Sequence, residues 1–575
     1  MISGRRLAGS AAGLLSFPLV ALRSITQRLP FQSLIGGFSL GPLGRMTDVP
    51  FNVRTLAEAG VIRPMRPDKL ARVAAALRRY GTSPAAGIAT GEITRPDEIA
   101  IRDDSGEYTF RELHRRSNAL ARGLRYAGVG EGDGVAIMAR NHHRFVESTL
   151  ALSKLGANAL YMNTGFAAPQ FAEVVEREGP VALIYDDEFA DLLADARGKV
   201  QCFVAWRDPG TERADDPSLE DLIEDNDDSD LDGPEEASRF VILTSGTTGT
   251  PKGAQRAQPD TLGPLASLFS KIPLRTHEPV VIAAPLFHSW GFTHFTLGLS
   301  LGSTYVLRRK FDPEETLKAI EETGATALVV VPVMMQRILE LPEDVLSKYD
   351  LPSLRVTAAS GSALPGELAT KWMETFGDNL YNLYGSTEVA WATIATPEDL
   401  RAAPGTAGRP PRGTKIRIVD EKGEDVPPGK TGRLFVGNEM AFEGYTGGGG
   451  KEALDGLLSS GDVGHFDEDG RLFIDGRDDE MIVSGGENVF PREVEDLMSD
   501  HDAVAEVAII GVDDEKFGQR LKAFVVTRGG KEVSEDELKK HVKSNLANYK
   551  VPREIEFLDS LPRNSTGKVL KRELA

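Results

Sequence analysis

Residues 240–253 read FVILTSGTTGTPKG, a short apolar run followed by a loop rich in glycine and hydroxyl side chains. The apolar run predicts a buried strand. The loop suits a polyphosphate, because glycines let the backbone approach while amides, hydroxyls and a lysine meet the oxygens. It is not a Walker A loop, since residue 251 is Pro and residue 253 is Gly. The candidate phosphate ligands are Thr244, Ser245, Gly246, Thr247, Thr248, Gly249 and Lys252.

Strand and helix signals alternate on both sides of this loop. Residues 98–102 read as a strand, and Thr109 is placed to cap a helix through Tyr126, with Glu112 at the capping-box spacing. Such alternation predicts parallel sheets covered by helices on both faces. From Lys415 the pattern changes to short strands with tight turns, and the last hundred residues mix helix and strand again. We therefore predict an α/β fold with a β-rich subdomain and a small, mobile α+β C-terminal domain.

Six further motifs follow the phosphate loop in chain order. They are PLFHSWG at 285–291, SGSALP at 360–365, NLYGSTE at 382–388, SGD at 460–462, GRDD at 476–479 with SGGEN at 484–488, and PRNSTGK at 562–568. Together with residues 244–253, this ordered set resembles the adenylate-forming superfamily, which includes acyl-CoA synthetases, adenylation domains of nonribosomal peptide synthetases, and luciferases. The resemblance covers residues 98–575, and Ser362 stands where Ala is more usual in that family.

The resemblance implies an ATP-dependent acid–CoA ligase, which forms an acyl adenylate and pyrophosphate and then acyl-CoA and AMP. It implies ATP, Mg²⁺ and coenzyme A as cofactors. The implied regions are a basic amphipathic extension at 1–90, an AMP-binding domain at 91–478 and a lid domain at 479–575. The implied roles are catalysis by Lys568, Glu388 and His288; metal binding by Thr244 and Glu388; nucleotide binding by Gly361, Ser362, Ala363, Asn382, Leu383, Tyr384, Gly385, Ser386 and Thr387; ribose binding by Asp462 and Arg477; and a thioester loop at Ser484, Gly485 and Gly486.

The residue types also fit this chemistry. A carboxylate that attacks the α-phosphorus of ATP brings two anions together, so the enzyme must neutralise charge, align the reactants and exclude water. A long cationic arm such as Lys568 can bridge the two anions, and the Glu388 carboxylate suits Mg²⁺, a hard cation that prefers oxygen ligands. The alternatives are a core position for His288 or Tyr384 and an ordinary surface position for Asp462 or Lys568.

Phe287, Trp290, Phe292 and Phe295 predict an apolar acid pocket and favour a medium- or long-chain fatty acid. The alternatives are an aryl or short-chain acid, or a fatty acyl-AMP ligase that loads a carrier protein. Because the sequence ends soon after Lys568 with no carrier module, we expect coenzyme A as the acceptor.

Charge separates the first residues from the rest of the chain. The net charge is −20, which argues against nucleic-acid binding. Residues 1–80 nevertheless hold 12 Arg and Lys against 3 Asp and Glu, a net of +9. Within them, residues 68–80 form an amphipathic helical pattern that predicts either peripheral membrane contact or packing on the protein's own body. With one cysteine, Cys202, the chain is predicted to be cytoplasmic. The acidic stretch 212–236 is predicted to be a solvated loop.

Overall fold

The computed structural model describes residues 42–210, 215–244, 252–256, 261–440, 442–446, 448, 450–484, 487–514, 518–529, 531–564 and 567–574. Two sheets of mostly parallel strands form the body, a third sheet is antiparallel, and a fourth belongs to the C-terminal region. This arrangement confirms the predicted α/β fold class. The bounds of the three predicted regions stay predictions.

The first sheet has the order β14-β13-β12-β11-β9-β10-β1-β2. Its strands are β1 (Ile99–Asp103), β2 (Gly106–Thr109), β9 (Pro279–Ile282), β10 (Thr304–Leu307), β11 (Ala327–Val330), β12 (Val356–Ala359), β13 (Leu380–Tyr384) and β14 (Thr393–Ala395). All neighbours are parallel except the two pairs at the edges, β1 with β2 and β13 with β14. The central strands are mostly apolar and buried, as expected for a parallel sheet that is covered on both faces.

The second sheet has the order β17-β8-β7-β4-β3-β5-β6. Its strands are β3 (Gly134–Met138), β4 (Asn158–Tyr161), β5 (Ala182–Asp186), β6 (Gln201–Trp206), β7 (Phe240–Thr244), β8 (Lys252–Arg256) and β17 (Phe442–Tyr445). The predicted buried strand of the opening motif is therefore β7. It pairs in parallel with β4 and antiparallel with β8.

Two smaller sheets complete the chain. The third contains β15 (Lys415–Val419), β16 (Gly432–Gly437), β18 (Ala453–Leu454), β19 (Leu457–Phe466) and β20 (Leu472–Arg477), which confirms the predicted β-rich stretch after Lys415. The fourth contains β21 (Ile482–Ser484), β22 (Glu487–Val489), β23 (Val504–Asp514), β24 (Gly518–Thr527) and β25 (Glu554–Phe557).

Helices cover the sheets. In the described residues they are α1 (Pro42–Glu58), α2 (Pro67–Tyr80), α3 (Pro84–Thr94), α4 (Phe110–Tyr126), α5 (His143–Leu155), α6 (Ala168–Glu178), α7 (Leu219–Glu224), α8 (Gly263–Phe269), α9 (Ser289–Leu301), α10 (Pro313–Thr323), α11 (Pro332–Leu339), α12 (Glu343–Leu346), α13 (Gly366–Phe376), α14 (Pro397–Ala402), α15 (Pro491–Ser499) and α16 (Glu535–Asn545). The predicted capping box is present at α4: the Thr109 hydroxyl accepts from the Glu112 amide at 3.2 Å, and the Glu112 carboxylate accepts from the Thr109 amide at 2.8 Å. None of the described helices combines the length and hydropathy that a membrane crossing requires.

The helices before residue 95 pack on the body. Leu56 of α1 and Ile88 of α3 are buried in the main hydrophobic core. On α2, Ala76 and Tyr80 are buried against α3, and the Tyr80 hydroxyl donates to the Leu231 carbonyl at 3.3 Å. For residues 67–80 these contacts favour packing over membrane contact as the explanation of the amphipathic pattern. Residues 1–41 lie outside the described part of the chain.

The acidic stretch is more ordered than predicted. It contains α7, and Asp230 accepts a hydrogen bond from the buried His114 imidazole at 2.9 Å. Beside them the Lys154 ammonium, wholly buried, donates to Asn118 at 2.6 Å and to Ser117 at 2.7 Å. The prediction of a loop was therefore wrong for residues 219–224, whereas residues 227–230 are exposed to solvent, as predicted.

Candidate active site

Four of the predicted motifs lie at the carboxyl ends of parallel strands. In the first sheet, β9 leads towards His288, β12 leads into Gly361–Ala363, and β13 leads into Gly385–Glu388. In the second sheet, β7 ends at Thr244. Open parallel sheets place their ligand sites at this edge, because loops of neighbouring strands diverge there and leave a crevice. The fold therefore gathers motifs that are far apart in sequence.

The phosphate motif forms the connection of a β-hairpin. Thr244 on β7 pairs with Lys252 on β8, so the two strands that the motif connects are antiparallel neighbours. β8 also pairs with β17, where Tyr445 faces Ala254. Tyr445 is therefore next to the hairpin. The loop residues Ser245, Gly246, Thr247, Thr248 and Gly249 lie outside the described residues, as do the side chains of Thr244 and Lys252.

Two hydroxyl groups hold the Glu388 carboxylate. Tyr445 donates to one oxygen at 2.6 Å and Ser386 donates to the other at 2.8 Å. Burial alone would raise the pKa of Glu388, but the bonds from Tyr445 and Ser386 and the charge of Lys451 lower it. The carboxylate is therefore ionised at neutral pH. An ionised carboxylate with hydroxyl neighbours beside a phosphate loop fits Mg²⁺, which takes oxygen ligands.

Thr387 connects this carboxylate to α9. Its hydroxyl lies 3.3 Å from the Ser289 hydroxyl, at the first turn of that helix. Sequence reasoning did not find Tyr445, which is 57 residues from Glu388 and comes from the other sheet. Nothing in the spacing of the motifs indicates that pairing.

Asp462 and Arg477, which are predicted to bind the ribose, form a second group with Tyr384. The Tyr384 hydroxyl donates to the Asp462 carboxylate, and Arg477 donates to its other oxygen at 3.3 Å. Asp462 and Arg477 are paired neighbours on β19 and β20. Burial raises the pKa of Asp462 even though Arg477 and the Tyr384 hydroxyl act to lower it. Hydroxyl donors such as those of a ribose would stabilise the ionised form further.

The other residues that are predicted to bind the nucleotide lie on a buried strand and on a partly exposed turn. Asn382 and Leu383 on β13 are buried, at 7% and 8% exposure. After β12, Gly361 turns the chain with a φ of 98°, which a non-glycine residue rarely adopts. Ser362 after it is half-buried and Ala363 is exposed. The turn therefore presents its backbone at the edge where the nucleotide is predicted to bind.

Lys568 faces this group from the C-terminal region. Its positive charge contributes to lowering the pKa of Asp462, which means that the two side chains are within electrostatic reach. The turn before it is closed by Asn564, whose side-chain oxygen accepts from the Lys568 amide at 2.9 Å. Gly567 has a φ of 79°, and a Cβ on it would lie 2.2 Å from a methyl group of Val333 on α11. The lysine turn is thus docked on the large domain.

The superfamily resemblance also implies a hinge at residues 476–479, just before the predicted thioester loop. Ser484 is buried at the end of β21, while Gly485 and Gly486 lie outside the described residues. At the predicted hinge, the Asp478 carboxylate accepts from Arg433 on β16 at 2.9 Å. In this structure the charge of Lys568 acts on Asp462, while Ser484 is buried in the sheet of the C-terminal region.

His288 precedes α9 and is partly buried. Burial lowers its pKa to about 4, and its Nε2 has no hydrogen-bond partner among the described residues. The imidazole is therefore uncharged at neutral pH, which favours a pocket wall over a charged aid to the acid. The segment before it is fixed by Asn141, which sequence reasoning missed: its amide donates to the Ala284 carbonyl at 2.9 Å and accepts from the Leu286 amide at 2.8 Å.

The buried state of His288 predicts a pH dependence. Because its pKa is depressed, the imidazole gains its proton only well below neutral pH, so its titration does not enter the range from about pH 6 to 8. We expect His288→Asn to change the rate of acid-dependent pyrophosphate release without changing the shape of its pH profile in that range. Pyrophosphate assays on both enzymes measure this. An inflection near the ordinary histidine pKa that disappears in the variant would contradict it.

Comparisons with known proteins agree with this arrangement. The family described as AMP-binding enzyme matches residues 92–446, and its C-terminal domain family matches residues 493–568. A feruloyl-CoA synthase of Amycolatopsis sp is 34% identical over 487 residues, which cover 83% of this chain and 96% of the relative. The fatty acid–[acyl-carrier-protein] ligase ScoC of Streptomyces coeruleorubidus is 30% identical over 498 residues, with 83% and 93% covered.

A solved structure has the same fold. An anthranilate CoA ligase in complex with anthranoyl-AMP superposes with a TM-score of 0.77 at 27% identity, covering 86% of this chain and 96% of that one. These matches confirm the superfamily that the ordered motifs indicated, the acid–thiol ligase class, and ATP, Mg²⁺ and coenzyme A as its cofactors. The chain belongs to the AMP-binding enzyme family and is an ATP-dependent acid–CoA ligase.

Proposed function

We propose that this ligase activates a compact carboxylic acid with an aromatic ring, in place of the medium- or long-chain fatty acid that the sequence favoured. The observation that carries the proposal is the burial of the aromatic residues that had predicted an apolar acid pocket. Phe287, Trp290, Phe292 and Phe295 are exposed by only 4%, 7%, 7% and 1%. They belong to the hydrophobic core, so they leave little surface for an extended acyl chain.

Trp290 supports a closed end to the acid pocket. Its indole N–H lies 3.1 Å from the Val330 carbonyl and 3.3 Å from the Ala358 carbonyl, at the ends of β11 and β12. His294 packs edge-on against the ring, with centroids 4.4 Å apart. A long acyl chain would have to displace this fixed ring, whereas a compact acid would not.

The first half-reaction follows from the charges at the site. We assign to Glu388, with the Thr244 hydroxyl, the binding of Mg²⁺, which neutralises phosphate charge when bound. Asp462 and Arg477 hold the ribose, and Tyr384 stacks on the base while its hydroxyl orients Asp462. Lys568 bridges the acid and the α-phosphate, so that the two anions can meet without repulsion. The phosphate loop from Thr244 to Lys252 binds the remaining phosphates.

The second half-reaction needs the C-terminal region to move. The superfamily resemblance implies a rotation at Asp479 that withdraws Lys568 and brings Ser484, Gly485 and Gly486 to the thiol channel. The sulfur of coenzyme A then attacks the acyl carbonyl, and AMP leaves. Loading of a carrier protein is the alternative acceptor, as in the relative named a fatty acid–[acyl-carrier-protein] ligase. Peripheral membrane contact stays a prediction for residues 1–41.

A panel of acids tests the substrate proposal. We expect hydroxylated benzoic and cinnamic acids to give AMP release with coenzyme A at least about ten-fold faster, as kcat/KM, than straight-chain acids from acetate to palmitate. The same panel with a holo-carrier protein in place of coenzyme A identifies the acceptor. A steady rise of kcat/KM with chain length would reject the aromatic proposal, and product formed only on the carrier would reject coenzyme A.

A further inference from the structure

Ala390 has an unusual backbone conformation two residues after Glu388. Its φ is 61°, in the left-handed region, and among the described non-glycine residues only His277 and Asp455 share a positive φ. For an alanine this conformation costs on the order of 1 kcal/mol or more, so it persists only where the surroundings impose it. Something must therefore hold the chain in this turn beside the metal carboxylate.

Asn438 is in position to do so. It follows β16, and its side-chain N–H₂ donates to the Val389 carbonyl and to the Trp391 carbonyl, both at 2.8 Å. These are the two carbonyls that flank Ala390. The side-chain oxygen of Asn438 accepts from the Met440 amide at 2.9 Å, which fixes the direction in which the amide points. The Asn438 side chain therefore uses both of its N–H donors on this one turn.

The same segment also holds the Glu388 carboxylate. Tyr445, seven residues after Asn438, donates to it at 2.6 Å. Asn438 therefore holds the backbone after Glu388, and Tyr445 holds the Glu388 carboxylate. The turn is also packed closely: a Cβ on Gly385 would lie 2.1 Å from the Ala390 carbonyl oxygen. There is thus little room for Ala390 to relax without moving the strand end that precedes Glu388.

We propose that Asn438 is a positioning residue for the metal-binding carboxylate of Glu388, an inference that rests on the metal role proposed above for that residue. By bonding the carbonyls on both sides of Ala390, it keeps the turn left-handed and keeps Glu388 aimed at the phosphate hairpin. Asn438 itself does not touch the metal. Loss of its side chain should therefore reduce how much Mg²⁺ tightens ATP binding. The affinity for ATP without Mg²⁺ should not change.

Calorimetric titration of ATP, with and without Mg²⁺ and with no acid present, measures this effect apart from turnover. We expect Mg²⁺ to tighten ATP binding by the wild-type enzyme. In Asn438→Ala this gain should fall about ten-fold, while the Kd of ATP without Mg²⁺ stays the same. Asn438→Ala combined with Ala390→Gly should recover most of the gain, because glycine adopts the same φ without cost.

Asn379 supplies a matched control. It is a buried amide before β13 whose N–H₂ also donates to two carbonyls, those of Leu354 at 3.2 Å and Phe376 at 2.9 Å. We expect Asn379→Ala to lower the Tm and to leave the Mg²⁺ gain intact. A merely structural role for Asn438 would make the two variants behave alike, and that result would overturn the proposal. Failure of Ala390→Gly to rescue would overturn it as well.

Glu388→Gln separates this inference from the function on which it rests. This variant should lose the Mg²⁺ gain completely. If it keeps the gain, the metal role proposed for Glu388 is wrong, and the role of Asn438 is overturned with it. If Glu388→Gln loses the gain and Asn438→Ala keeps it, only the role of Asn438 is overturned. The titration contains no acid, so the outcome of the acid panel does not affect it.

Discussion

Lys568→Ala is expected to slow acid-dependent pyrophosphate release by on the order of a hundred- to a thousand-fold, the usual cost of removing one preorganised donor to a developing charge. The reason is the repulsion between the carboxylate and the α-phosphate, which Lys568 is proposed to offset. ATP binding should survive, because the phosphate hairpin and the Asp462 group remain. Pyrophosphate exchange and ATP calorimetry measure the two quantities separately.

A control and a second reaction sharpen this test. Lys540 lies exposed on α16 of the same region, so Lys540→Ala should behave as wild type. Acyl-AMP supplied ready-made should react with coenzyme A at an almost normal rate in Lys568→Ala, because the anionic encounter has already taken place. Undiminished pyrophosphate release by Lys568→Ala would remove the lysine from the mechanism.

The sequence correctly predicted the features that depend on residues close together in the chain. The strand at Phe240–Leu243, the capping box at Thr109 and the change of pattern at Lys415 depend on residues within one or two turns of each other, and all three are present. The order of the motifs also indicated which residues would meet, and the structure brings Tyr384 to Asp462 over 78 positions. That pairing could be expected only from the resemblance, since periodicity carries no information about it.

The residues that escaped prediction act between elements that are distant in sequence. Tyr445 and Asn438 reach the Glu388 turn from the far side of the crevice, and Asn141 fixes the segment before His288 across 141 positions. A polar residue that serves such a contact looks in sequence like any loop residue. The aromatic residues at 287–295 show a second limit: hydrophobicity predicts burial, but it does not distinguish a core position from a pocket wall.

Gly567→Ala is expected to slow adenylation by about ten- to a hundred-fold, since small displacements of a reacting group are costly. The added methyl group meets two obstacles. The turn has a φ of 79°, which alanine adopts at a cost on the order of 1 kcal/mol, and the new Cβ would lie 2.2 Å from a methyl group of Val333. Both obstacles push the lysine turn away from the large domain. Pyrophosphate release at saturating acid measures the loss.

The collision and the backbone strain can be separated, because only the collision depends on contact with Val333. Val333→Ala removes the obstructing methyl groups, so the double variant with Gly567→Ala should regain the part of the rate that the collision cost and keep the part due to strain. Gly529→Ala, where a Cβ meets nothing within 4 Å, should leave both half-reactions unchanged. The reaction of supplied acyl-AMP with coenzyme A should be nearly normal in Gly567→Ala, because Lys568 is withdrawn in that step. An equal loss in both half-reactions would mean that the substitution damages the fold and does not simply displace the lysine.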